Sequence, residues 1–385
     1  MTAATAVLNR RGGGRRYRNL LVSRAQELRI VRTRWQWAGA AALLVLYLYL
    51  PQQLSDPTLL TLTYCGMYAI GTIGLNLLTG FTGQISIGHA AFFGAGAYAA
   101  YYFGAQQDWP FPAYFVVAAF VGLVLGAVIG PFALRLRGHY LAIVTIGLLF
   151  VAEHLFVNWE SVTGGRTGAR LGDTTVKLGP LDFNGLEVGS ESYTREQSMF
   201  WLVWALVALT ALLAKNIVRT RPGRAMQAVR DRDLSAEVIG VRIARYKIGA
   251  FAVSSAMAAA AGCLYLLLQR NVNPTEFGGQ QGLFLSITFV AMVIIGGVGT
   301  VFGSVLGALF VWGGQRFIAE NSDLGFFDAL IITSPSDPNG WFSIGEFNGI
   351  LFGLFIILFL LFEPRGLAAV WYRLKTYLQT WPFSQ

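Results

Sequence analysis

The stretch RTRPGRAMQAVRDRDLSAEVIGVRIARYK occupies residues 219–247, between two strongly apolar segments. It is rich in Lys and Arg, and its only acidic residues are Asp231, Asp233 and Glu237. A chain that merely reverses direction between two apolar segments needs only a few residues. This longer, helix-prone connection therefore predicts a structured element that a second molecule can contact.

The residue spacing within 219–247 predicts two short helices. Pro222 disfavours helical backbone at the residue before it and suits the first turn of a helix. Apolar residues then share one face, at Ala225, Met226 and Val229. A second helix containing Leu234, Val238 and Ile239 can be capped by Asp233 or Ser235, and Gly240 fits its end. An amphipathic helix lying on anionic lipid is the alternative interpretation.

The composition indicates an integral membrane protein. The 385 residues are 55% hydrophobic and only 13% charged, with a mean hydropathy of +0.53. Soluble domains carry roughly a quarter charged residues, so the bilayer is the solvent that fits this chain. Glycine is abundant, and its four-residue spacing at Gly122, Gly126 and Gly130 predicts a close helix–helix contact. The expected fold class is all-α and polytopic.

Ten apolar runs are long enough to cross a bilayer, at about 17–25 residues each. They cover residues 35–51, 57–79, 84–104, 110–134, 138–158, 198–218, 247–269, 281–298, 300–319 and 346–363. The run 84–104 is open to interpretation as a broken or re-entrant helix. Ten spans also suit two inverted five-span halves, although no clean repeat is visible.

The distribution of charge predicts the orientation. The first 34 residues hold nine Arg and one acid, Glu27, and most of the 29 Lys and Arg fall on the side of residues 1–34 and 219–247. The positive-inside rule then predicts cytoplasmic tails at 1–34 and 364–385 around a transmembrane domain at 35–363. The net charge of +9 follows from this topology and is not a nucleic-acid signal.

Two polar segments lie on the predicted outer side. Within 159–197, the sequence VKLGPLDFNGLEV predicts two short strands joined at Asn184–Gly185, which is a type I′ hairpin signal. The segment 320–345 is acidic. Both segments either receive a soluble partner or are solvated connectors.

Polar residues inside the apolar runs are candidates for a translocation pathway. Asn76, Gln84, Ser86 and His89 lie where glycines interrupt the helix, and such a break is tolerated only beside a cavity or packed protein. A satisfied structural role is the alternative for His89. Glu153 and His154, near the outer end of run 138–158, belong either to an entry route or to an interfacial pair within reach of headgroup water.

No catalytic or metal-binding pattern is visible in the sequence. The three His and two Cys residues form no ligand spacing, and Cys65 and Cys263 lie in apolar runs as packing residues. No Gly-rich loop of the P-loop kind is present. We therefore expect a chain that is not an enzyme, binds no metal or cofactor of its own and hydrolyses no ATP.

Four stretches, in order, resemble the membrane subunits of hydrophobic amino-acid ABC importers of the LivM type. They are GLNLLTGFTGQISIGHAAFFGAGAY (74–98), GRAMQAVRDRDLSAEVIGVRIARYKIGAFAVSSAMAAAAGCLY (223–265), SITFVAMVIIGGVGTVFGSVLGA (286–308) and FGLFIILFLLFEPRGL (352–367). The resemblance covers most of 57–370 and excludes the Arg-rich start and much of 159–197. Urea-uptake permeases are close relatives of the same design.

The resemblance implies a permease subunit in a bacterial cytoplasmic membrane. Its expected partners are a second homologous permease, two ATP-binding cassette subunits that bind ATP and Mg, a soluble extracytoplasmic substrate-binding protein and membrane lipid. Branched-chain amino acids are the implied substrates, and urea or short amides are the alternative.

The resemblance also implies that residues 223–240 couple the permease to the ATPase. The implied coupling residues are Arg224, Met226, Val229, Arg230, Asp231, Leu234, Glu237 and Gly240. Of these, Arg224, Arg230 and Glu237 would contact the partner, and Met226, Val229 and Leu234 would anchor the element.

An ion-coupled secondary transporter is the alternative from another class. Such proteins usually place carboxylates deep in their spans. Here only Glu153 is available, and it lies near the end of its run. The charged element at 219–247 is expected for an ABC permease and unnecessary for an ion-coupled transporter.

Overall fold

A computed structural model describes residues 34–135, 139–172, 176–178, 181–188, 191–320, 331–332, 342–363 and 365–380. The chain divides into two units, residues 1–50 and 51–385. The described part of the first unit belongs to one apolar helix, α1 (Arg34–Gln53). The predicted basic tail, apart from Arg34, and most of the acidic segment 320–345 lie outside the described residues.

The second unit is almost entirely helical. Its long helices are α2 (Asp56–Thr82), α3 (His89–Ala100), α4 (Phe111–Arg135), α5 (His139–Asn158), α7 (Arg195–Arg219), α8 (Arg221–Asp231), α10 (Ile243–Gln269), α11 (Gly279–Gly296), α12 (Val301–Glu320), α13 (Ile344–Phe362) and α14 (Gly366–Thr380). Shorter pieces are α6 (Glu160–Thr163), α9 (Asp233–Val238), a π-helix at Tyr101–Gln106 and 3₁₀ turns at Gly165–Thr167 and Pro274–Glu276. The predicted all-α polytopic class is confirmed.

Seven helices among the described residues are long and apolar enough to cross a membrane, and an eighth is reached if α13 and α14 count as one bent span. The seven are Asp56–Thr82, Phe111–Phe132, Tyr140–Asn158, Arg195–Arg219, Ile243–Gln269, Gly279–Gly296 and Val301–Ala319. Each coincides with a predicted run. The other three predicted runs correspond to α1, to α3 with its π-helical extension, and to α13.

The run 84–104 differs from a continuous span. Helix α2 ends at Gly83, whose φ of 71° is in the left-handed region that glycine adopts easily. Residues 83–88 are then non-helical, and α3 has only 12 residues before the π-helix begins. Glycines at positions 80, 83 and 88 favour this interruption, so the broken-helix interpretation is the correct one.

The predicted Asn184–Gly185 hairpin is wrong. The outer segment forms two separate antiparallel pairs, β2 (Lys177–Leu178) with β3 (Leu181–Asp182) and β4 (Glu187–Val188) with β5 (Glu191–Ser192). The Asp182 carboxylate accepts the backbone N–H of Asn184 at 3.0 Å, so the local turn is an Asx turn rather than the tip of a hairpin.

Four further strands form two more pairs between loops. Strand β1 (Ala169–Arg170) pairs antiparallel with β6 (Asn271–Val272), and β7 (Ile331–Ile332) pairs parallel with β8 (Phe342–Ser343). The β1–β6 pair joins the outer segment to the connection between α10 and α11. This pairing fixes the position of the outer segment on the helical body.

Helix α10 is the centre of the bundle, packed against α2, α3 and α4. Its span is 83% buried, whereas the spans of α4 and α7 are only 22% buried and present apolar surface outward. Glycines allow the close contacts: a methyl group at Gly262 would overlap the backbone of Phe93, and one at Gly122 would overlap Ala259. The close contact predicted from Gly122, Gly126 and Gly130 is confirmed, because all three face α10.

This packing predicts opposite outcomes for two glycines of α10. Gly262→Ala should lower the free energy of unfolding by about 1–3 kcal/mol, because the new methyl group has no space beside the Phe93 carbonyl. Gly249→Ala in the same helix should be neutral or slightly stabilising, because nothing lies within 4 Å of that position. Thermal unfolding of the purified variants in detergent measures the difference, and equal losses would contradict the packing assignment.

Candidate functional site

The charged stretch folds as two short helices, as predicted. Helix α8 has Pro222 in its first turn, and Gly240, with a φ of 86°, follows the end of α9. The cap of α9 differs from the prediction, because Arg232 precedes the helix and Asp233 already lies inside it. The Asp233 carboxylate instead accepts a 2.7 Å hydrogen bond from Lys247 of α10, which fixes α9 to the bundle.

One face of this element is buried in the protein. Met226 is 5% exposed and Val229 is 1% exposed, so both anchor the element as predicted. Met226 belongs to the main apolar core. Ala236 of α9 is also buried. The two helices are therefore held against the bundle and are not a free connection.

The opposite face of α9 carries three exposed apolar side chains, which we call the apolar ridge. Leu234 is 73% exposed, Val238 88% and Ile239 75%. The prediction that Leu234 anchors the element is wrong: Ala236 faces inward in its place. Arg224 and Asp231 of α8 and Glu237 of α9 are also exposed.

Arg230 is bound within the chain rather than free for a partner. Its Nη1 donates a 2.7 Å hydrogen bond to the carbonyl oxygen of Gly80, near the end of α2. Its Nε and Nη2 each lie 3.2 Å from the carboxylate of Asp231. A guanidinium is well suited to such a site, because it offers several donors in a fixed plane. Arg230 therefore connects α8 directly to α2.

Asn76 lies one helical turn before Gly80 and connects α2 to the turn between α11 and α12. Its Nδ2 donates to the Thr300 carbonyl oxygen at 2.8 Å and to the Ser304 hydroxyl at 2.7 Å, and its Oδ1 accepts the Gly299 N–H at 2.8 Å. The side chain is buried. We call Asn76, Gly80, Arg230 and the turn 297–300 the junction.

The start of α14 also meets the junction. A Cβ atom on Gly297 would lie 2.8 Å from the carbonyl oxygen of Arg365 and 3.2 Å from Cβ of Ala368. At the other edge, a Cβ atom on Gly299 would lie 3.4 Å from Nη1 of Arg230. Glycine is required at both positions, where φ is 122° and 79°. Helices α2 and α8, the turn 297–300 and the start of α14 thus meet at the junction.

The non-helical segment 83–88 is held by hydroxyl side chains of other helices. The Ile87 N–H donates to Thr145 Oγ1 at 3.0 Å, and the Ala90 N–H donates to Ser286 Oγ at 3.0 Å. The Oε1 atom of Gln84 accepts a longer bond from Thr82 at 3.4 Å. The buried hydroxyl of Ser86 has no hydrogen-bond partner among the described residues.

His89 is buried at the start of α3. Its Nε2 lies 3.3 Å from the Gly71 carbonyl oxygen, and its ring packs edge-on against Phe92 and Phe289. These contacts match the structural alternative for His89. The ring has its hydrogen-bond partner inside the protein.

Glu153 and His154 lie at the other end of α5. Glu153 is half-buried beside Gly278 and Gly279, where α11 begins. His154 is exposed and contacts Asn158 of the same helix. Thr145, which binds segment 83–88, is eight residues earlier, roughly 12 Å along the helix. The structure therefore separates the predicted pathway residues into three places: the junction, segment 83–88 with His89, and this helix end.

Sequence reasoning missed the partners of these residues. Gly80, Thr300 and Ser304 at the junction, and Thr145 and Ser286 beside segment 83–88, are ordinary helix and turn residues in the sequence. Hydroxyl groups at these positions gave no signal, because nothing in the sequence says which helices are neighbours. The described residues contain no group of three or more His, Cys, Asp or Glu that could hold a metal ion.

A family model described as the permease component of branched-chain amino acid transport systems matches residues 58–361. The high-affinity branched-chain amino acid transport system permease protein LivM of Escherichia coli is 27% identical over 82% of this chain and 71% of its own length. LivH of the same organism is 26% identical over 72% of this chain and 92% of its own length. A probable LivM of Methanocaldococcus jannaschii is 26% identical over 66% of each chain. No solved structure matches the chain.

The contacts of the junction predict that removing the Asn76 side chain destabilises the protein. Asn76→Ala should lower the free energy of unfolding by about 1–3 kcal/mol, because the half-buried Gly299 N–H loses its acceptor and the buried amide loses all three of its hydrogen bonds. Asn158→Ala is the matched control, since among the described residues that exposed amide hydrogen-bonds only to His154 in its own helix. Thermal unfolding in detergent measures both variants. Equal stability of Asn76→Ala and the parent chain would contradict the assignment.

Proposed function

The chain belongs to the family of branched-chain amino acid transport system permease components, and from that membership we propose that it forms half of the translocation pathway of an ABC importer for branched-chain amino acids. It is a multi-pass protein of the bacterial inner membrane. The other half of the pathway is a second, homologous permease. Two ATP-binding cassette subunits supply ATP hydrolysis, and a soluble extracytoplasmic protein delivers the substrate.

The proposed topology has ten crossings and both ends in the cytoplasm. The seven long apolar helices provide seven crossings, and α1, the broken unit of segment 83–88 with α3, and α13 provide the others. This arrangement places α8, α9 and the junction on the cytoplasmic side. It places the outer segment 159–197 on the side where a delivery protein arrives, in agreement with the distribution of Lys and Arg.

The single observation that carries the coupling role is the apolar ridge of Leu234, Val238 and Ile239. Three large apolar side chains, each at least 73% exposed on a six-residue helix, are costly in water. The exposed Glu237 of the same helix makes this face unlike a lipid-facing one. The ridge fits an apolar groove with a polar rim on an ATP-binding subunit.

Arg230 is the link through which we expect movement of α8 and α9 to reach the membrane-spanning helices. The ridge is on α9, and α8 is tied to α2 through the bond from Arg230 to Gly80. The same turn of α2 is tied to the α11–α12 turn through Asn76. A displacement of the ridge by an ATPase subunit therefore moves α2, α11 and α12 together. Arg230 acts as a positioning residue in this scheme.

We propose that segment 83–88 borders the substrate route. It is a break in a helix, one hydroxyl contact holds the Ile87 N–H and another holds the start of α3, and the Ser86 hydroxyl is unpaired among the described residues. Gln84 lies within the segment and His89 follows it. Asn76 is connected to the route through the junction. Glu153 and His154 line the outer entrance.

Two variants separate docking from transmission. Val238→Asp should abolish co-purification of the ATPase subunits, because a carboxylate replaces the most exposed apolar side chain of the ridge. Arg230→Gln should keep co-purification and lower leucine uptake per ATP hydrolysed by about tenfold, because a charged hydrogen bond is lost.

The measurements use the assembled transporter in proteoliposomes, with radiolabelled leucine and a phosphate-release assay. Leu178→Asp repeats the apolar-to-acidic change at an exposed site in the outer segment, and Arg245→Gln removes an exposed arginine outside the junction. Both controls should behave like the parent. Full co-purification of Val238→Asp together with parental uptake would refute the coupling role, and a chain that supports no amino acid uptake would refute the importer assignment.

A further inference from the structure

A cavity of about 530 Å³ opens on the proposed outer face, at the end of α3. Its volume lies within the range of about 300–1,000 Å³ typical of small-molecule sites. The side chains that matter for its chemistry are Tyr101, Gln106, Asp108, Trp109, Arg170 and Lys177. None of them belongs to the predicted coupling or pathway residues. We call this space the outer cavity.

One wall of the outer cavity is built from unusual backbone. Tyr101–Gln106 is a π-helix, a form that occurs mainly as single turns and often at functional sites. Asp108 follows with a φ of 52°, in the left-handed region that few residues other than glycine adopt. Aspartate tolerates this conformation better than most residues. Hydrogen bonds from the N–H of Gln107 and Trp109 back to Tyr102 and Phe103 hold the turn.

Another part of the lining, at Arg170, belongs to the β1–β6 pair. Arg170 is in β1, aligned with Asn271, and the next residue donates its backbone N–H to the Arg270 carbonyl oxygen at 2.8 Å. This pairing connects the outer segment to the α10–α11 connection. The strand pair therefore fixes the backbone position of Arg170.

The charges lining the outer cavity are of both signs and are not paired with each other. Neither Asp108 nor Arg170 forms an ion pair with any described residue. Lys177 differs, because it lies 3.7 Å from the carboxylate of Asp182. The outer cavity thus presents a carboxylate and a guanidinium that pair with no described residue and belong to different parts of the chain, together with the aromatic surfaces of Tyr101 and Trp109.

We propose that the outer cavity binds a free apolar α-amino acid as its zwitterion. The ligand carboxylate pairs with Arg170, the ammonium group pairs with Asp108, and the apolar side chain packs against Trp109 and Tyr101. A guanidinium is the preferred partner for a carboxylate because it can bind both oxygens. A ligand with only one of the two charges leaves the other wall unpaired, which lowers its affinity.

This inference rests on the proposed function for its substrate class and adds a holding site to it. The outer cavity is a place where an amino acid released by a delivery protein waits before it enters the route beside segment 83–88. Its recognition groups are carried by this chain alone. Binding can therefore be measured on the purified chain, without the other subunits.

The test is equilibrium binding of tritiated leucine to the full chain in lipid nanodiscs. Leucine amide, which lacks the carboxylate, and 4-methylpentanoate, which lacks the ammonium group, should both compete about tenfold or more less well than leucine. Arg170→Gln should weaken leucine binding by a similar factor and abolish the preference for leucine over its amide. Asp108→Asn, which keeps a residue that tolerates the left-handed backbone, should abolish the preference over 4-methylpentanoate.

Arg166→Gln is the matched control, because Arg166 is an exposed arginine of the same segment that does not line the outer cavity. It should bind leucine like the parent. Arg170→Lys should retain part of the affinity, which guards against a loss caused by misfolding. Failure of the parent chain to bind leucine, or equal competition by all three ligands, would overturn the proposal.

Uptake by the assembled transporter is measured in parallel, so that the two proposals fail separately. Uptake of leucine by a complex whose permease chain binds none overturns the outer cavity as a site and leaves the proposed function intact. Binding with the expected selectivity, in a complex that transports no amino acid, supports the site and refutes the importer assignment.

Discussion

The buried amide of Asn76 is the contact on which the end of the bundle beside the turn 297–300 depends. Polar backbone groups in a bilayer must be satisfied within the protein, and a turn between two spans exposes several of them. One asparagine side chain satisfies three groups in or beside the turn 297–300 with bonds of 2.7–2.8 Å. One turn along the same helix, Gly80 receives Arg230. Helix α2 is therefore the element through which the charged helices and the α11–α12 turn are connected.

Small residues make this connection possible. Methyl groups at Gly80 or Gly297 would overlap or crowd the backbone and side chains that meet there. The same rule governs α10, whose glycine and alanine residues let α3 and α4 approach closely. Tight contacts of this kind favour movement of packed helices as units over gradual deformation.

The sequence predicted the elements well, because hydropathy and helix signals are local. Seven predicted runs coincide with long helices, and the pair α8 and α9 has its predicted composition and ends at Gly240. Burial of Met226 and Val229 was also predictable from their spacing. Leu234 was assigned to the wrong face, since a six-residue helix is too short for its periodicity to identify the buried side.

Contacts between distant parts of the chain could not be predicted from the sequence. Asn76 meets residues more than 220 positions away, and Arg230 meets a backbone carbonyl 150 positions away. The hairpin at Asn184–Gly185 failed because a local Asx turn competes with strand pairing there. The outer cavity is lined by residues at the end of α3 and by residues of a loop beyond α5. Its charged residues therefore lie far apart in the sequence and form no motif.

Site-specific cross-linking at position 238 is the most direct test of whether the apolar ridge docks on an ATP-binding subunit. A single cysteine replaces Val238 in a chain whose buried Cys65 and Cys263 have been replaced, and a short bifunctional reagent is added to membranes that contain the assembled transporter. Docking of the apolar ridge predicts a cross-link to an ATP-binding subunit, and none from a cysteine placed at Leu178 in the outer segment. A residue 238 that reacts freely with a membrane-impermeant reagent on intact cells, or that never cross-links to the ATPase, would contradict it.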